Sequence, residues 1–331
     1  MKIFRSLAEI PPDFGPVVAT IGNFDGVHCG HRWVIDRVNA RAQELGLRSL
    51  ALTFDPHPVR VLRPDAAHSL ITPLPTKLEQ LGTTGIDATL VLPFDLDISQ
   101  LTPAAFARLI LRDAMHVREV HEGENFRFGY QAAADMHGLE ELGAQLGFTV
   151  HAYSPYLGRG AAISSTRIRS LIAAGDVSHA RALLGRPFSL LSTPASGRGY
   201  GTRYAVPTIN LAPYPELLPG NGVYVTQVSI GKGAARERFH AVTNVGNRPT
   251  FGVDSFAVES HLLDFHPIAL AEDTPVSVDF LTRLRAERRW PSPEALRAQI
   301  MQDVQRATRY FSLVHAIAAV ANARPQVEQQ V

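Results

Sequence analysis

Short, mainly apolar runs mark the first half of the chain, at 17–21 (VVATI), 49–54 (SLALTF), 88–94 (ATLVLPF) and 148–153 (FTVHAY), and a short, more polar segment at 119–123 (EVHEG) is a further candidate strand. Between them lie TKLEQLG, PAAFARLILRDAM and MHGLEELGAQLG, whose apolar positions recur every three or four residues. Continuous runs predict strands buried on both faces, and the longer period predicts amphipathic helices. From about residue 16 to 186 the alternation predicts a parallel sheet covered on both faces, with ligands beyond the carboxyl ends of its strands. After Arg186-Pro187 the grammar changes. GVYVTQVSI, RFHAVTNVG, AVESHLLDF and PVSVDFLTRL, separated by Gly, Pro and Asn, predict antiparallel strands joined by turns. A small closed barrel follows, because closure removes exposed edges. A last helical pattern runs from Pro293 to about Ala323, and the tail PQVEQQV is expected to fray. The chain is therefore expected to be α/β, with domains at 1–186 and 187–331.

With 331 residues, 45% of them apolar, the chain can bury a core in each domain. The formal net charge is +1 with acids and bases interspersed, so no basic field points to nucleic acid, and a phosphate site has to be local. One cysteine excludes an internal disulfide. The first residues lack the apolar core of a signal peptide and no run is long enough to span a bilayer, so a soluble, cytoplasmic protein without membrane partners is expected. Nothing in the pattern assigns an oligomeric state.

The stretch with most chemistry is IGNFDGVHCGH at 21–31. It follows the first buried run and precedes a helix predicted to turn Val34, Val38, Ala42 and Leu45 to one side and to stop at Gly46. His28 and His31 therefore open a helix, where unpaired N–H groups and the partial positive charge of the dipole hold phosphates. Gly22, Gly26 and Gly30 allow close backbone approach. A metal reading would need further ligands, and no Cys/His cluster of zinc spacing accompanies the pair. Cys29 sits where a thiol is activated, yet the chemistry requires no covalent step, so it reads as a spectator.

The run GNFDGVHCGH resembles the adenylylation motif of the prokaryotic bifunctional riboflavin kinase/FAD synthetases, within the wider HxGH nucleotidyltransferases. Further matches follow in order: TFDPHP at 53–58, GENFRFG at 123–129, ISSTRIR at 163–169, PTIN at 207–210, VGNRPTFG at 245–252 and ESHLLDF at 259–265. The resemblance implies a Rossmann-like nucleotidyltransferase domain followed by a riboflavin kinase barrel. It implies catalytic roles for His28 and His31, and nucleotide contacts from Gly22, Phe24, Asp25, Gly26, Asn125, Ser164, Ser165, Thr166 and Arg167. The hydroxyls and guanidinium of 164–169 also read as a helix N-cap with a solvated basic face. Asn125 is further implied in flavin or Mg²⁺ contacts, while Phe126 and Phe128 read equally as packing residues. His57 is a candidate for the flavin phosphate or a turn-stabilising residue. Relatives often carry a glycine-aspartate pair where this chain reads QAAADMHG.

In the second half, Gly197, Gly199 and Gly201 form a glycine-rich loop without the GK[ST] ending of a P-loop. Thr208 and Asn210 are two apart, so an extended strand puts both oxygens on one side, a donor set that suits Mg²⁺. In the resembling family the matching threonine and asparagine bind the magnesium of ATP, and the glutamate matching Glu259 is the general base for the riboflavin 5′-hydroxyl. This chain departs from the family's usual sequence at Tyr204-Ala205-Val206 and at HPIALAEDTP after Phe265. The expected activity is phosphorylation of riboflavin to FMN followed by adenylylation of FMN to FAD, with ATP and Mg²⁺ in both steps. Alternatives are an adenylyltransferase with a degraded kinase half, or a flavin-binding or flavin-sensing protein without turnover. Pantetheine-phosphate and cytidylyl transferases share the HxGH turn but lack the second half.

Overall fold

The computed structural model describes residues 1–195, 208–248, 255–266, 268 and 270–323. The chain forms two compact units: Met1–Ile168 with Leu183–Gly185, and Arg169–Ala182 with the residues from Arg186 onward.

The first unit is built on a six-stranded sheet, β1 (Lys2–Phe4), β2 (Val17–Ile21), β3 (Arg48–Asp55), β4 (Ala88–Pro93), β5 (Val117–Gly123) and β6 (Thr149–Tyr153). All pairings are parallel, in the order β1-β4-β3-β2-β5-β6. Every residue of β2 is buried, as a central strand covered on both faces demands. Helix α1 (Cys29–Leu45) packs Ile35, Val38 and Ala42 against Val18 and Ala51. Val38 and Ala42 are buried as predicted and Ile35 joins them, while Val34 is only partly buried at the rim and Leu45 is exposed beside the left-handed cap at Gly46. Around the sheet lie α2 (Pro58–Leu62), α3 (Leu74–Gly82), α4 (Leu96–Ser99), α5 (Pro103–Phe106) and α6 (Met136–Leu146). Beyond α5 the predicted single helix widens into a π-helical stretch at 107–114, which brings Ala107, Ile110 and Leu111 into the core. Strand β1 had no sequence signal: it is three residues long and is held by a distant partner, β4.

Strand β5 carries a fully buried carboxylate next to the candidate phosphate turn. Glu122 Oε1 accepts the Thr20 hydroxyl at 2.9 Å and the Ile21 N–H. Burial outweighs these bonds and pushes the Glu122 carboxyl up to about 8. Because this lies above the unfolded value, its contribution to stability is complete below about pH 4.5 and is lost as pH rises through about 8. In Glu122→Gln, the melting temperature is expected to depend less on pH between about 5 and 8.5 than in the parent. Parallel melting profiles for the two proteins would contradict this.

A two-stranded hairpin, β7 (Leu157–Gly158) with β8 (Ala161–Ala162), precedes α7 (Ser165–Ala173) and α8 (Val177–Leu184). Residues 169–182 cluster with the second unit. There Gly220 N donates to Ile172 O at 3.0 Å and Arg283 to Ala174 O at 3.2 Å. A Cβ on Gly220 would come within 2.6 Å of Ala173 O, so the close approach requires glycine.

The second unit is an antiparallel sheet of β9 (Phe188–Ser192), β10 (Thr208–Asn210), β11 (Gly222–Ile230), β12 (Glu237–Arg248), β13 (Ser255–Leu262) and β14 (Val276–Ala286), ordered β10-β13-β12-β11-β14-β9. Its two edges meet. Pro194 bridges Leu211, with Ala195 N donating to Asn210 O at 2.8 Å and Ala212 N to Thr193 O at 2.9 Å, so the ring of strands closes there. Inside, Tyr224 and Phe280 pack edge to face at 5.3 Å, and hydroxyls run from Thr226 to Thr243 (2.6 Å) and on to Ser260 (2.8 Å). The long helix α9 (Pro293–Ala323) lays Ala307 and Phe311 against Val223, Val225, Val242 and Leu263. Among the described residues no helix is long and apolar enough to cross a membrane. The tail at 325–331 lies outside the described residues.

Candidate active sites

In the first unit the chain leaves β2 at the carboxyl edge of the sheet and turns sharply into α1. Phe24, Gly26 and Val27 all take positive φ (46°, 89° and 36°). For Phe24 and Val27 this is a costly backbone state, of the kind that persists where surrounding contacts enforce a functional turn. Asp25, 2% exposed, supplies such contacts: its carboxylate accepts the N–H groups of Ile71 (2.9 Å) and Thr72 (3.0 Å). Thr72 Oγ1 in turn accepts the Gly26 N–H at 2.9 Å.

His28 is the N-cap of α1, its Nδ1 accepting the His31 N–H at 3.3 Å. In the neutral ring the proton is therefore on Nε2, which is the donor a phosphate would use. The His28 and His31 rings stack with centroids 3.6 Å apart, and Phe24 meets His31 edge-on at 5.2 Å. A Cβ on Gly30 would lie 3.2 Å from the His28 ring, so a larger residue there would push that ring by a few tenths of an ångström.

The N-terminus of α7 joins the same turn. Ser165 Oγ donates to Asp25 O at 2.8 Å, and Ser164 Oγ caps the helix by accepting the Arg167 N–H at 3.2 Å. Thr166 is exposed in its first turn. Arg167 Nη1 binds the carbonyls of Gly158 (2.9 Å) and Ala161 (3.1 Å), tying α7 to the β7–β8 hairpin. Two helix N-termini thus meet at one turn.

Lys77 of α3 belongs to no sequence motif. It is 3% exposed, with Nζ 3.4 Å from Thr53 Oγ1, whose hydroxyl donates to Asn23 O of the turn. Burial lowers its pKa, while Asp25 and Asp55 hold it up. The signal was a lysine placed on the same helical stripe as Leu74, Leu78 and Leu81. His57 caps α2, its Nδ1 accepting the Val59 N–H at 3.2 Å, which matches its turn-stabilising reading. Asn125 is exposed just past β5, while Phe126 and Phe128 stack at 5.7 Å and pack on the core.

In the second unit the register of β13 builds the candidate site. Glu259 lies directly opposite Asn210 of β10 on one side and Asn244 of β12 on the other, and His261 lies opposite Thr208. Directly paired residues share a sheet face. Thr208, Asn210, Glu259, His261 and Asn244 therefore sit together, while Ile209, Val258 and Ser260 are buried on the opposite face. His261 lies within ESHLLDF, but its place opposite Thr208, like that of Asn244 opposite Glu259, depends on strand register and leaves no local signal. Gly197, Gly199 and Gly201, residues 202–207 and Pro249 to Gly252 lie outside the described residues.

Comparison with known proteins separates the same two halves. The FAD synthetase family model matches residues 11–167 and the riboflavin kinase model residues 184–311. The bifunctional riboflavin kinase/FMN adenylyltransferase of Pseudomonas fluorescens is 35% identical over 93% of this chain and 97% of its own length. The chain belongs to the bifunctional riboflavin kinase/FMN adenylyltransferase family. The protein of that name from Escherichia coli (strain K12) is 31% identical over 95% of this chain and 99% of its own. A crystal structure described as a macrolide-efflux protein from Streptococcus pneumoniae superposes with a TM-score of 0.82 at 26% identity, covering 92% of this chain and 97% of that one. In this bifunctional family member, the motif residues His28, His31, Ser164 and Ser165 gather in one unit, and Thr208, Asn210 and Glu259 in the other.

Proposed function

We propose that this bifunctional enzyme divides its two reactions between the units, with the functional boundary at 186/187. The second unit transfers the γ-phosphoryl group of ATP to the 5′-hydroxyl of riboflavin. The first joins the phosphate of the resulting FMN to the α-phosphorus of a second ATP; the bond to the β-phosphate oxygen breaks and pyrophosphate leaves. The observation that carries this reading is the cross-strand pairing of Glu259 with Asn210, in the same chain as the stacked His28 and His31.

In the second unit, Glu259 accepts the proton of the flavin hydroxyl as the oxygen attacks. Loose phosphoryl transfer asks for positioning and late proton removal, which one carboxylate on a rigid strand provides. Thr208 and Asn210, neutral oxygen donors on one side of β10 beside that carboxylate, fit a hard cation and would hold the Mg²⁺ of ATP. When bound, the ion neutralises charge on the phosphates. The glycine loop at Gly197, Gly199 and Gly201 is assigned to the same nucleotide.

In the first unit, His28 and His31 donate to the ATP phosphates, and the N–H groups at the α1 and α7 starts add to the field. Gly22, Phe24 and Gly26 shape the turn, Asp25 holds it against Ile71 and Thr72, and Ser164, Ser165, Thr166 and Arg167 complete the nucleotide side. His57 and Asn125 are assigned to FMN. The cytoplasm, where ATP is abundant, is the compartment that suits both steps. Incubation of the purified chain with riboflavin, ATP and Mg²⁺, with flavins resolved by chromatography, is expected to yield FMN and then FAD. Absence of both under aerobic and reducing conditions overturns the reading; FAD from supplied FMN without FMN from riboflavin would leave adenylyl transfer as the sole activity.

A further inference from the structure

A second cluster of ligating groups lies on the α1-covered face of the parallel sheet, apart from the residues assigned to ATP. Glu119 pairs in register with Val18 of β2, and Val18 packs under α1. Glu119 and His121 are two apart on β5, so they share that face, and His151 of β6 lies opposite His121. Three side chains from two strands thus converge. Glu119 Oε2 is 3.3 Å from His121 Nε2 and 3.1 Å from His151 Nε2, and the three atoms all lie within 4.8 Å of one another.

The two spacings from Glu119 Oε2, 3.3 and 3.1 Å, are close to those between donors around a metal. A tetrahedral ion with bonds of about 2.0–2.1 Å holds its donors about 3.3–3.4 Å apart, and two imidazoles with one carboxylate are an established donor set for zinc. We propose that Glu119, His121 and His151 bind a transition-metal dication of the Zn²⁺ or Co²⁺ class. Water completes the coordination, as it does where a protein supplies three ligands.

The surroundings support a built site. Tyr153 OH lies 2.7 Å from His121 Nδ1, so when Nε2 ligates, the ring proton moves to Nδ1 and is donated to that hydroxyl. Such outer partners fix the tautomer and orientation of a ligating histidine. Arg41 grips both carboxylate oxygens of Glu119, Nε to Oε2 and Nη2 to Oε1, each at 2.9 Å. Its charge is shared with Glu44, which accepts Arg41 Nη1 at 2.9 Å, so the two carboxylates and one guanidinium present a net negative charge to the cation. His151 has a side chain 38% exposed, against 3% for His121 and 8% for Glu119, and gives an ion its approach route. The Mg²⁺ of the kinase reaction prefers oxygen ligands and does not compete for this nitrogen-rich set.

The simpler alternative is a polar cluster in which Glu119 only accepts protons from Arg41 and the histidines. Titration of chelator-treated full-length protein with CoCl₂, in excess MgCl₂, separates the two. One equivalent is expected to bind with the visible d–d absorption of a four- or five-coordinate ion, and ZnCl₂ should displace it. His151→Ala, at a half-exposed position where folding is not at stake, should remove the band. Tyr153→Phe should weaken binding about 10–100-fold, and Cys29→Ser should leave it intact. Zn²⁺ should raise the melting temperature of the parent and not of His151→Ala. A parent protein without the band, or one whose affinity is unchanged in His151→Ala, overturns the proposal, as does loss of the band in Cys29→Ser.

Discussion

Glu259→Gln is expected to lower FMN formation from riboflavin by about 10²–10⁴-fold, the range spanned by loss of a positioned general base. FAD formation from supplied FMN should be unchanged. The substitution keeps the shape of the side chain and its place opposite Asn210 and Asn244 in the β13 register, so the barrel has no packing reason to open. What is lost is only the ability to take the proton of the attacking hydroxyl. Steady-state rates for each half-reaction, with melting curves to verify folding, test this. Equal loss of both activities in a folded protein would remove Glu259 from the kinase role and the separate-site reading with it.

His28→Ala with His31→Ala should give the complementary result, a fall in FAD synthesis from FMN of at least about 10³-fold with FMN formation intact. Loss of one donor to charge developing in a transition state costs about 10²–10³-fold, and donors acting as a unit do not add. The stacked rings and the His28–His31 capping bond mean that a single change disturbs its neighbour. His28→Asn is therefore the useful companion, because asparagine keeps the N-cap while removing the imidazole. If His28→Asn retained full adenylyl transfer, the imidazole donor would be unnecessary and the mechanism of the first unit would need revision.

Much of the candidate adenylyl-transfer site was legible because its parts are local. His28 and His31 are three apart, a buried strand precedes them, and helix capping acts within four residues. Contacts made at long range left no such trace. Nothing near Asp25 indicates that its carboxylate anchors Ile71 and Thr72, and nothing near Ser165 indicates that its hydroxyl meets Asp25 O. Lys77 hid in an amphipathic helix, and Glu122 in a strand whose burial only the assembled sheet creates.

The barrel shows the same division. The apolar alternation of 222–230, 237–248 and 276–286 marks strands, and Thr208 with Asn210 marks a shared side. That Glu259 stands between Asn210 and Asn244 depends on register, which a one-residue slip would invert. Closure through Pro194 and Leu211 likewise joins segments with no common local pattern.

The sequence by itself determined the alternation of parallel and antiparallel halves, the helix-capping histidines and the paired oxygens of PTIN, because periodicity and capping are short-range properties of the chain. Tertiary structure alone decided which buried charges surround the histidine turn, which neighbours flank Glu259, and that Glu119, His121 and His151 converge under α1. The physical reason is that strand pairing brings residues tens of positions apart within hydrogen-bond distance, and burial then changes what those residues can do.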